Sequence, residues 1–317
     1  YRVSPWQGLI QTLGGTERLV FAEGADNNKF APLLAGAFTA EYFDSRDLSG
    51  PVVHTDIIEN VQLFMFGRLA DGKVDPRAFS LRLTGTYIPH VGGEHVAGIF
   101  STGPARVLVD GVVVANAWDD WKNGTTFFEE GCDEATGRVE LQEGHVHHVV
   151  IEFASKESVT LSFSALQAGL GKPLGDADIT AAVTAAKGAE TAIIFAGRNG
   201  EWDTEGADLP HIKLPGRQDE LISRVAEVCP RTVVVVNAGS PVAMPWLESV
   251  ASVLMAWFPG QEMGASLADV LCGDVEPQGR LPVTFPHRLE DTPAFEHHPT
   301  LPGFTSDGLE QIRGGSG

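Results

Sequence analysis

The sequence predicts an α/β protein, with a mostly parallel sheet in an α/β/α sandwich that is interrupted by an inserted all-β sandwich domain. Three observations predict it. From about residue 168 onward, helical and strand patterns alternate at short intervals, and the strand runs are unbroken apolar stretches of the kind covered on both faces. Between residues 37 and 167 strand-like runs dominate instead. The chain has 317 residues, 43% of them hydrophobic and 20% charged, enough length and apolar content for two domains with cores of their own.

The domains follow from these textures. Residues 1–36 and 168–303 form one discontinuous α/β domain, 37–167 form the insert, and 304–317 are a tail ending in Gly and Ser. Within the insert, strands are expected over 38–43, 79–87, 106–116, 147–153 and 158–163. Asp110-Gly111 stands between two β-branched runs, a hairpin signal. In the α/β part, Asp176 or Asp178 caps a helix in which Ile179, Ala182, Val183 and Ala186 recur at i, i+3, i+4 and i+7. Residues 191–196 then read as a buried strand, and 218–228 as a helix with Leu221, Ile222 and Val225 on one face. The apolar runs 233–236 and 252–258 suit interior strands, with Pro241 and Pro245 in the turn between them. A helix over 262–271 and a strand over 281–285 complete the series.

Lys+Arg 22 against Asp+Glu 42 gives a formal charge of −20. Such a surface repels phosphate backbones and anionic lipid, which argues against nucleic acid and membrane as partners. A neutral sugar meets no such repulsion. The three cysteines, Cys132, Cys229 and Cys272, form no CxxC pair and read as reduced, buried thiols, with one disulfide plus a free thiol as the alternative. Reduced thiols favour a cytoplasmic over a secreted location. No apolar run reaches the ~18 residues of a spanning helix, and no signal peptide opens the chain. Tyr1 is not an initiator Met, so the missing signal carries little weight. Asn123-Gly124-Thr125 is a glycosylation sequon that matters only in a secreted protein.

The densest acidic cluster beside a strand end holds Glu201, Trp202, Asp203 and Glu205, with Asp208 just beyond. It directly follows the strand 191–196, and in parallel sheets ligands collect outside the carboxyl ends of strands. A carboxylic acid acts as general acid near neutral pH when low dielectric or a neighbouring negative charge raises its pKa. Trp202, Glu201 and Asp203 are candidates to supply both effects. The plainer account is a solvated acidic loop on an acidic protein.

Longer stretches point further. The run 197–208, GRNGEWDTEGAD, followed by LPGRQDELI over 214–222, resembles the acid/base loop of glycoside hydrolase family 3. FAEGADNNKF (21–30), NAGSPVAMPW (237–246) and WFPGQEMGASLADVLCGDVEPQGRLPVTFP (257–286) resemble the same family in the same order. The insert, through FTAEYF (38–43), LRLTGTY (81–87) and ARVLVDGVVVANAW (105–118), resembles the anthrax-protective-antigen-type sandwich that some members carry in this domain.

The resemblance implies that Glu205, the glutamate before glycine, is the general acid/base. Glu201 stays open as the alternative, because the loop offers two glutamates. Asp208 matches the aspartate of the family's EGxDR pattern, although Ala207 and Leu209 replace the usual Tyr and Arg and put the local sugar contacts in question. Trp202 is expected beside the sugar. In such inserts a loop reaches over the active-site mouth, so Phe127 and Phe128, within the polar run 121–130, are expected either to line a sugar subsite or to belong to the sandwich core.

The family's nucleophile is an aspartate on a preceding (β/α)8 barrel, in an SDW-type motif. Ser306-Asp307-Gly308 lacks the Trp and the strand-to-loop context. Retaining glycosidases need two carboxylates about 5–5.5 Å apart, and this sequence brings one. The expectation is therefore the C-terminal portion of a retaining exo-β-glycosidase that hydrolyses terminal β-D-glucosyl residues and is inactive alone. Its implied partners are a β-linked oligosaccharide or aryl or alkyl β-glucoside, and a barrel carrying the nucleophile in cis or in trans, with a homo-oligomer as a further option. No cofactor is implied. The alternative, from another class, is a non-catalytic carbohydrate-binding module on an α/β scaffold.

Other signals are weaker. His145, His147 and His148 invite a metal reading, but no second cluster with zinc-type spacing accompanies them, and an exposed strand entry is the plainer account. The glycine-rich pieces lack GxGxxG, and Ser240 and Ser266 lack a GxSxG elbow.

Overall fold

The computed structural model describes residues 2–156, 163–205, 209–293 and 295. The chain divides into two compact units, residues 28–173 and the flanking 1–27 with 174–317. Helix α1 (Pro5–Leu13) comes first. Its Ser4 hydroxyl accepts from the Gln7 amide at 3.2 Å while the Ser4 amide donates to Gln7 Oε1 at 2.9 Å, a reciprocal cap with Pro5 at the first helical position.

The central unit is a sandwich of ten strands. They are β1 (Ala35–Phe43), β2 (Val52–Asn60), β3 (Gln62–Phe66), β4 (Ser80–Tyr87), β5 (Gly93–Ser101), β6 (Ala105–Val109), β7 (Val112–Ala117), β8 (Ala135–Leu141), β9 (His147–Ala154) and β10 (Phe163–Gly171). One antiparallel sheet runs β2-β1-β4-β9-β6-β7 and the other β3-β10-β5-β8. Alternation fills the space between them. Phe38 and Ala40 of β1, Leu81 and Leu83 of β4 and Ile151 and Phe153 of β9 meet Ala97 and Ile99 of β5 and Leu166 and Ala168 of β10 in one buried core. The opposite face of the first sheet is polar: the register sets Arg82, Glu152 and Arg106 abreast, and Glu152 joins Arg82 at 3.1 Å and Arg106 at 2.6 Å.

In the flanking unit come α2 (Asp176–Lys187), β11 (Ala192–Gly197), α3 (Gln218–Val228), β12 (Thr232–Asn237), β13 (Ser252–Met255) and α4 (Met263–Cys272). The sheet is parallel, ordered β11-β12-β13. Ile194, Ala196, Val234 and Val236 face α2 and α3, packing on Ile179, Leu221, Ile222 and Val225. Val235, on the other face by alternation, is fully buried, and Phe195 lines a cavity with Pro5 of α1 and Met263 of α4. Helices therefore cover both faces, the α/β/α arrangement expected. Helices α1 and α4 touch through glycine, since a Cβ on Gly8 would stand 2.0 Å from the Gly264 carbonyl oxygen.

The structure departs from the sequence reading in several places. The sandwich reaches past 37–167, because β1 begins at Ala35, β10 runs to Gly171, and the Leu34 amide donates to Ala168 O at 3.1 Å. Residues 281–285 form no strand: Leu281 and Val283 are exposed, and Pro282 has no N–H to give a neighbour. The run 252–258 is extended only to Met255, and Trp257 has φ 56. The N-cap of α2 is Gly175 rather than either aspartate, although Asp178 accepts the Gly175 amide at 2.8 Å. Among the described residues β11 and β13 each have one neighbour, so β11, expected to be buried, is a sheet edge with Phe195 partly exposed, and β13, expected in the interior, is the other edge. Cys272 is exposed while Cys132 and Cys229 are buried, and all three are free. The strand expected over 158–163 lies outside the described residues except for Phe163, which opens β10.

Candidate active site

The loop after β11 begins with a charge driven inward. Arg198 is 2% exposed, and its amide donates to Asn237 O at 2.9 Å. Its Nη2 donates to the carbonyl and hydroxyl of Ser240 at 3.0 and 2.7 Å. Its Nε lies 3.0 Å from Asp203 Oδ1, in ion-pair contact but out of hydrogen-bond alignment, and Nη1 has no hydrogen-bond partner among the described residues. Burial pulls the guanidinium below its ordinary pKa, and the Asp203 charge opposes that.

The rest of the loop winds around Asn199. Its carbonyl accepts the amides of Trp202 at 3.1 Å and Asp203 at 3.0 Å. Its side-chain oxygen accepts the Glu201 amide at 3.0 Å, the local turn that Asn favours. Asn199 Nδ2 reaches Glu201 Oε2 at 3.4 Å, and Trp202 Nε1 donates to Asn27 O at 2.7 Å. Asp203 Oδ2 accepts the Gly239 amide at 2.7 Å. Glu205 stands at the outer end of the loop, exposed, with no partner among the described residues. Asp208 lies outside the described residues, as does Asp307.

Next to the root of this loop a cavity of about 310 Å³ opens at the carboxyl ends of β11 and β12, lined by Asp26, Asn27, Gly197, Gln218 and Asn237 with Phe195 and Met263. Gln218, 4% exposed, fastens its wall: Oε1 accepts the Gly197 amide at 2.7 Å, and Nε2 donates to Gly197 O and Pro215 O at 2.9 Å each. Sequence reasoning missed Arg198, Asn27 and Gln218. The available signal for Arg198 was a charge directly after an apolar strand, with an opposite charge five residues on.

Phe127 and Phe128 belong to the sandwich unit, in loop 121–133. Phe127, Phe128 and Glu129 take φ of 49, 60 and 64, the left-handed region, in succession. This turns Phe127 onto Phe64 and Phe100, with ring centroids at 5.1 and 5.2 Å, while Phe128 is 54% exposed. The two rings thus differ: Phe127 packs against the core, and Phe128 projects. Asn123 Nδ2 to Glu129 O (2.7 Å), Gly124 N to Gly131 O (2.8 Å) and Thr126 Oγ1 to Cys132 O (2.6 Å) close the loop. Lys156 pairs with Glu130 at 3.2 Å and lies 4.7 Å over the Trp121 ring.

His147 Nδ1 lies 2.7 Å from Asp110 Oδ2, and His145 falls in the turn before β9 rather than on the strand. Among the described residues no group of three His, Cys, Asp or Glu is placed to hold a metal ion, and no helix is long and apolar enough to cross a membrane.

A family model described as Glycosyl hydrolase family 3 C-terminal domain matches residues 1–311. The chain is 44% identical over 303 residues to a beta-glucosidase of Rhizobium radiobacter, covering 95% of this chain and 37% of that protein. It is 32% identical over 314 residues to a probable beta-glucosidase I of Aspergillus flavus, covering 93% and 37%. Among solved structures it is similar to beta-glucosidase from Kluyveromyces marxianus in complex with glucose, at TM-score 0.85 and 29% identity, over 93% of this chain and 38% of that one. The chain thus spans little more than a third of the length of these relatives.

Proposed function

The chain belongs to glycosyl hydrolase family 3, and on that premise we propose that it is the acid/base-bearing portion of a retaining exo-β-glycosidase acting on terminal β-D-glucosyl residues. Glu205 protonates the glycosidic oxygen as the bond breaks and later activates water, while a nucleophilic carboxylate comes from a (β/α)8 barrel in cis or in trans. The observation that carries this reading is the division of labour in the loop. Asp203 spends both oxygens on Arg198 and Gly239, and Glu201 sits in the Asn199 turn. Glu205 alone of the three is exposed and without a partner among the described residues. Glu201 remains the alternative acid/base. Trp202 and Asp208 contact the sugar, as does Phe128 of the insert, while Phe127, the other ring expected there, packs on Phe64 and Phe100.

The test is turnover of aryl β-glucosides. The 317-residue chain alone is expected to be inactive. Supplied with its barrel, it is expected to lose about 10²–10⁴-fold in kcat/KM on Glu205→Gln. Turnover by the isolated chain that disappears in Glu205→Gln would overturn the need for a second carboxylate, and loss in Glu201→Gln alone would move the role to Glu201.

A second reading, a non-catalytic carbohydrate-binding module, is favoured by exposed aromatic rings on the sandwich. Phe64, Phe66 and Phe128 are 48%, 63% and 54% exposed. Glycan binding that survives Glu205→Gln and is lost in Phe128→Ala would select it.

A further inference from the structure

We propose that Arg198 is a positioning residue for the acid/base carboxylate, acting through its buried pair with Asp203; this rests on the reading of Glu205 above. Arg198 opens the loop and Asp203 lies five residues on, so their contact at 3.0 Å closes the loop upon itself. Each partner also grips the turn after β12: Arg198 through both Ser240 oxygens, Asp203 through the Gly239 amide at 2.7 Å. The loop is therefore tied to β12 at two points. Glu205 follows Asp203 by two positions, at most about 7 Å of chain, so the place where Glu205 stands is set by this brace.

Stability alone is a poor reason for such a pair. The side chains are 1% and 12% exposed, and taking two charges out of water often costs more than their attraction returns. Arg198 even leaves Nη1 buried without a hydrogen-bond partner among the described residues. What the pair supplies is geometry. The planar guanidinium meets Asp203 and Ser240 at once, which a lysine ammonium does not match. General acid catalysis is sensitive to that geometry, since a displacement of about 1 Å can cost on the order of 10²-fold.

Two measurements test it. In the 317-residue chain, hydrogen exchange at the amides of Trp202, Asp203 and Gly239 is expected to accelerate about tenfold or more in Arg198→Met and in the near-isosteric Asp203→Asn, and to stay unchanged in Glu205→Gln. Unchanged exchange in both brace variants overturns the proposal, and Asp203→Asn keeps the test open if Arg198→Met does not fold. In the natural gene product, assayed with its barrel, leaving-group dependence is the second readout. A dinitrophenyl β-glucoside departs without a proton, whereas a phenyl or alkyl β-glucoside needs one. Glu205→Gln should slow the second kind far more than the first. Arg198→Met and Asp203→Asn should repeat that selectivity at about 10–10²-fold, with partial recovery in Arg198→Lys. No selectivity in Glu205→Gln sinks the acid/base reading itself. Selectivity there, but equal slowing of both substrates in the brace variants, sinks only the role given to Arg198.

Discussion

Loop 198–205 of the flanking unit and loop 121–133 of the sandwich are each held by a charge pair removed from water, yet they are held differently. In the first, Arg198 is 1% and Asp203 12% exposed, and they tie the beginning of the loop to the turn after β12, while Glu205 at its outer end is exposed and has no partner among the described residues. In the second, Lys156 and Glu130 are 18% and 13% exposed, and hydrogen bonds close the loop from both sides. The left-handed run 127–129 then puts one ring in and one out. A carboxylate that exchanges protons needs a fixed root and an uncommitted head. An aromatic ring offered to a sugar needs only a fixed orientation. Under the roles proposed above, the cation of the brace is the more deeply buried where the presented group has to exchange protons, and less so where a ring has only to meet a sugar face.

The comparison breaks first at Arg198. Arg198→Met leaves Asp203 charged and unpaired, and is expected to cost about 3–5 kcal/mol in denaturant unfolding. Lys156→Met should cost roughly 1–2 kcal/mol: the two acids are equally buried, but the Lys156 side chain is 18% exposed against 1% for Arg198, and its loss removes one ion pair and the contact with the Trp121 ring. Equal losses would show that the two braces are equivalent. The backbone of the aromatic loop is the next target. Glu129→Gly removes one side chain from the left-handed region and is expected to stabilise by about 1 kcal/mol, read as a rise in Tm; no rise would mean that the turn is unstrained.

The smallest expected effect is in pH dependence, and it has opposite signs in the two units. In the sandwich, the hydrogen bond from His147, with help from the His148 amide, holds the Asp110 carboxyl below its ordinary range. Its contribution is present above the unfolded value of about 3.9 and is lost as pH falls through the lower folded value. In the flanking unit, burial pushes Asp219 up, against the hydrogen bond from Trp246 Nε1 at 2.8 Å. The native state there binds the proton more tightly, so stability from this group falls as pH rises from about 3.9 through the folded value. Urea midpoints against pH should therefore flatten in opposite directions for Asp110→Asn and Asp219→Asn. A common direction would contradict the assignment.

Much of the fold was legible because it is local. The helix 218–228 lies where its 3.6-residue pattern put it, and the Asp110-Gly111 hairpin joins β6 to β7. The strands β2, β3, β5 and β8 escaped notice: most of β2 is exposed, β3 buries only Met65 and β8 only Leu141 fully, while β5 is well buried but has Gly93 and Gly98 in its run, which weakens a strand pattern. The strand expected at 281–285 shows the converse, that an apolar run with Pro282 inside it does not make a strand without a partner to pair with.

The sequence by itself determined the α/β class, the presence of an all-β insert, the family resemblance, and the position of an acidic loop directly after an apolar strand. Periodicity, turn dipeptides and residue order carry those facts within a few residues. Only the tertiary structure decided that Asp203 is the committed carboxylate of the loop, because it finds its partner Gly239 36 residues away. It likewise decided that Phe127 packs and Phe128 projects, because that follows from three successive backbone angles and from Phe64 and Phe100. It fixed Trp202 through Asn27, 175 residues distant. Side-chain partners so far apart in the chain meet only once the sheets have formed, and no local pattern encodes which of two like residues will meet them.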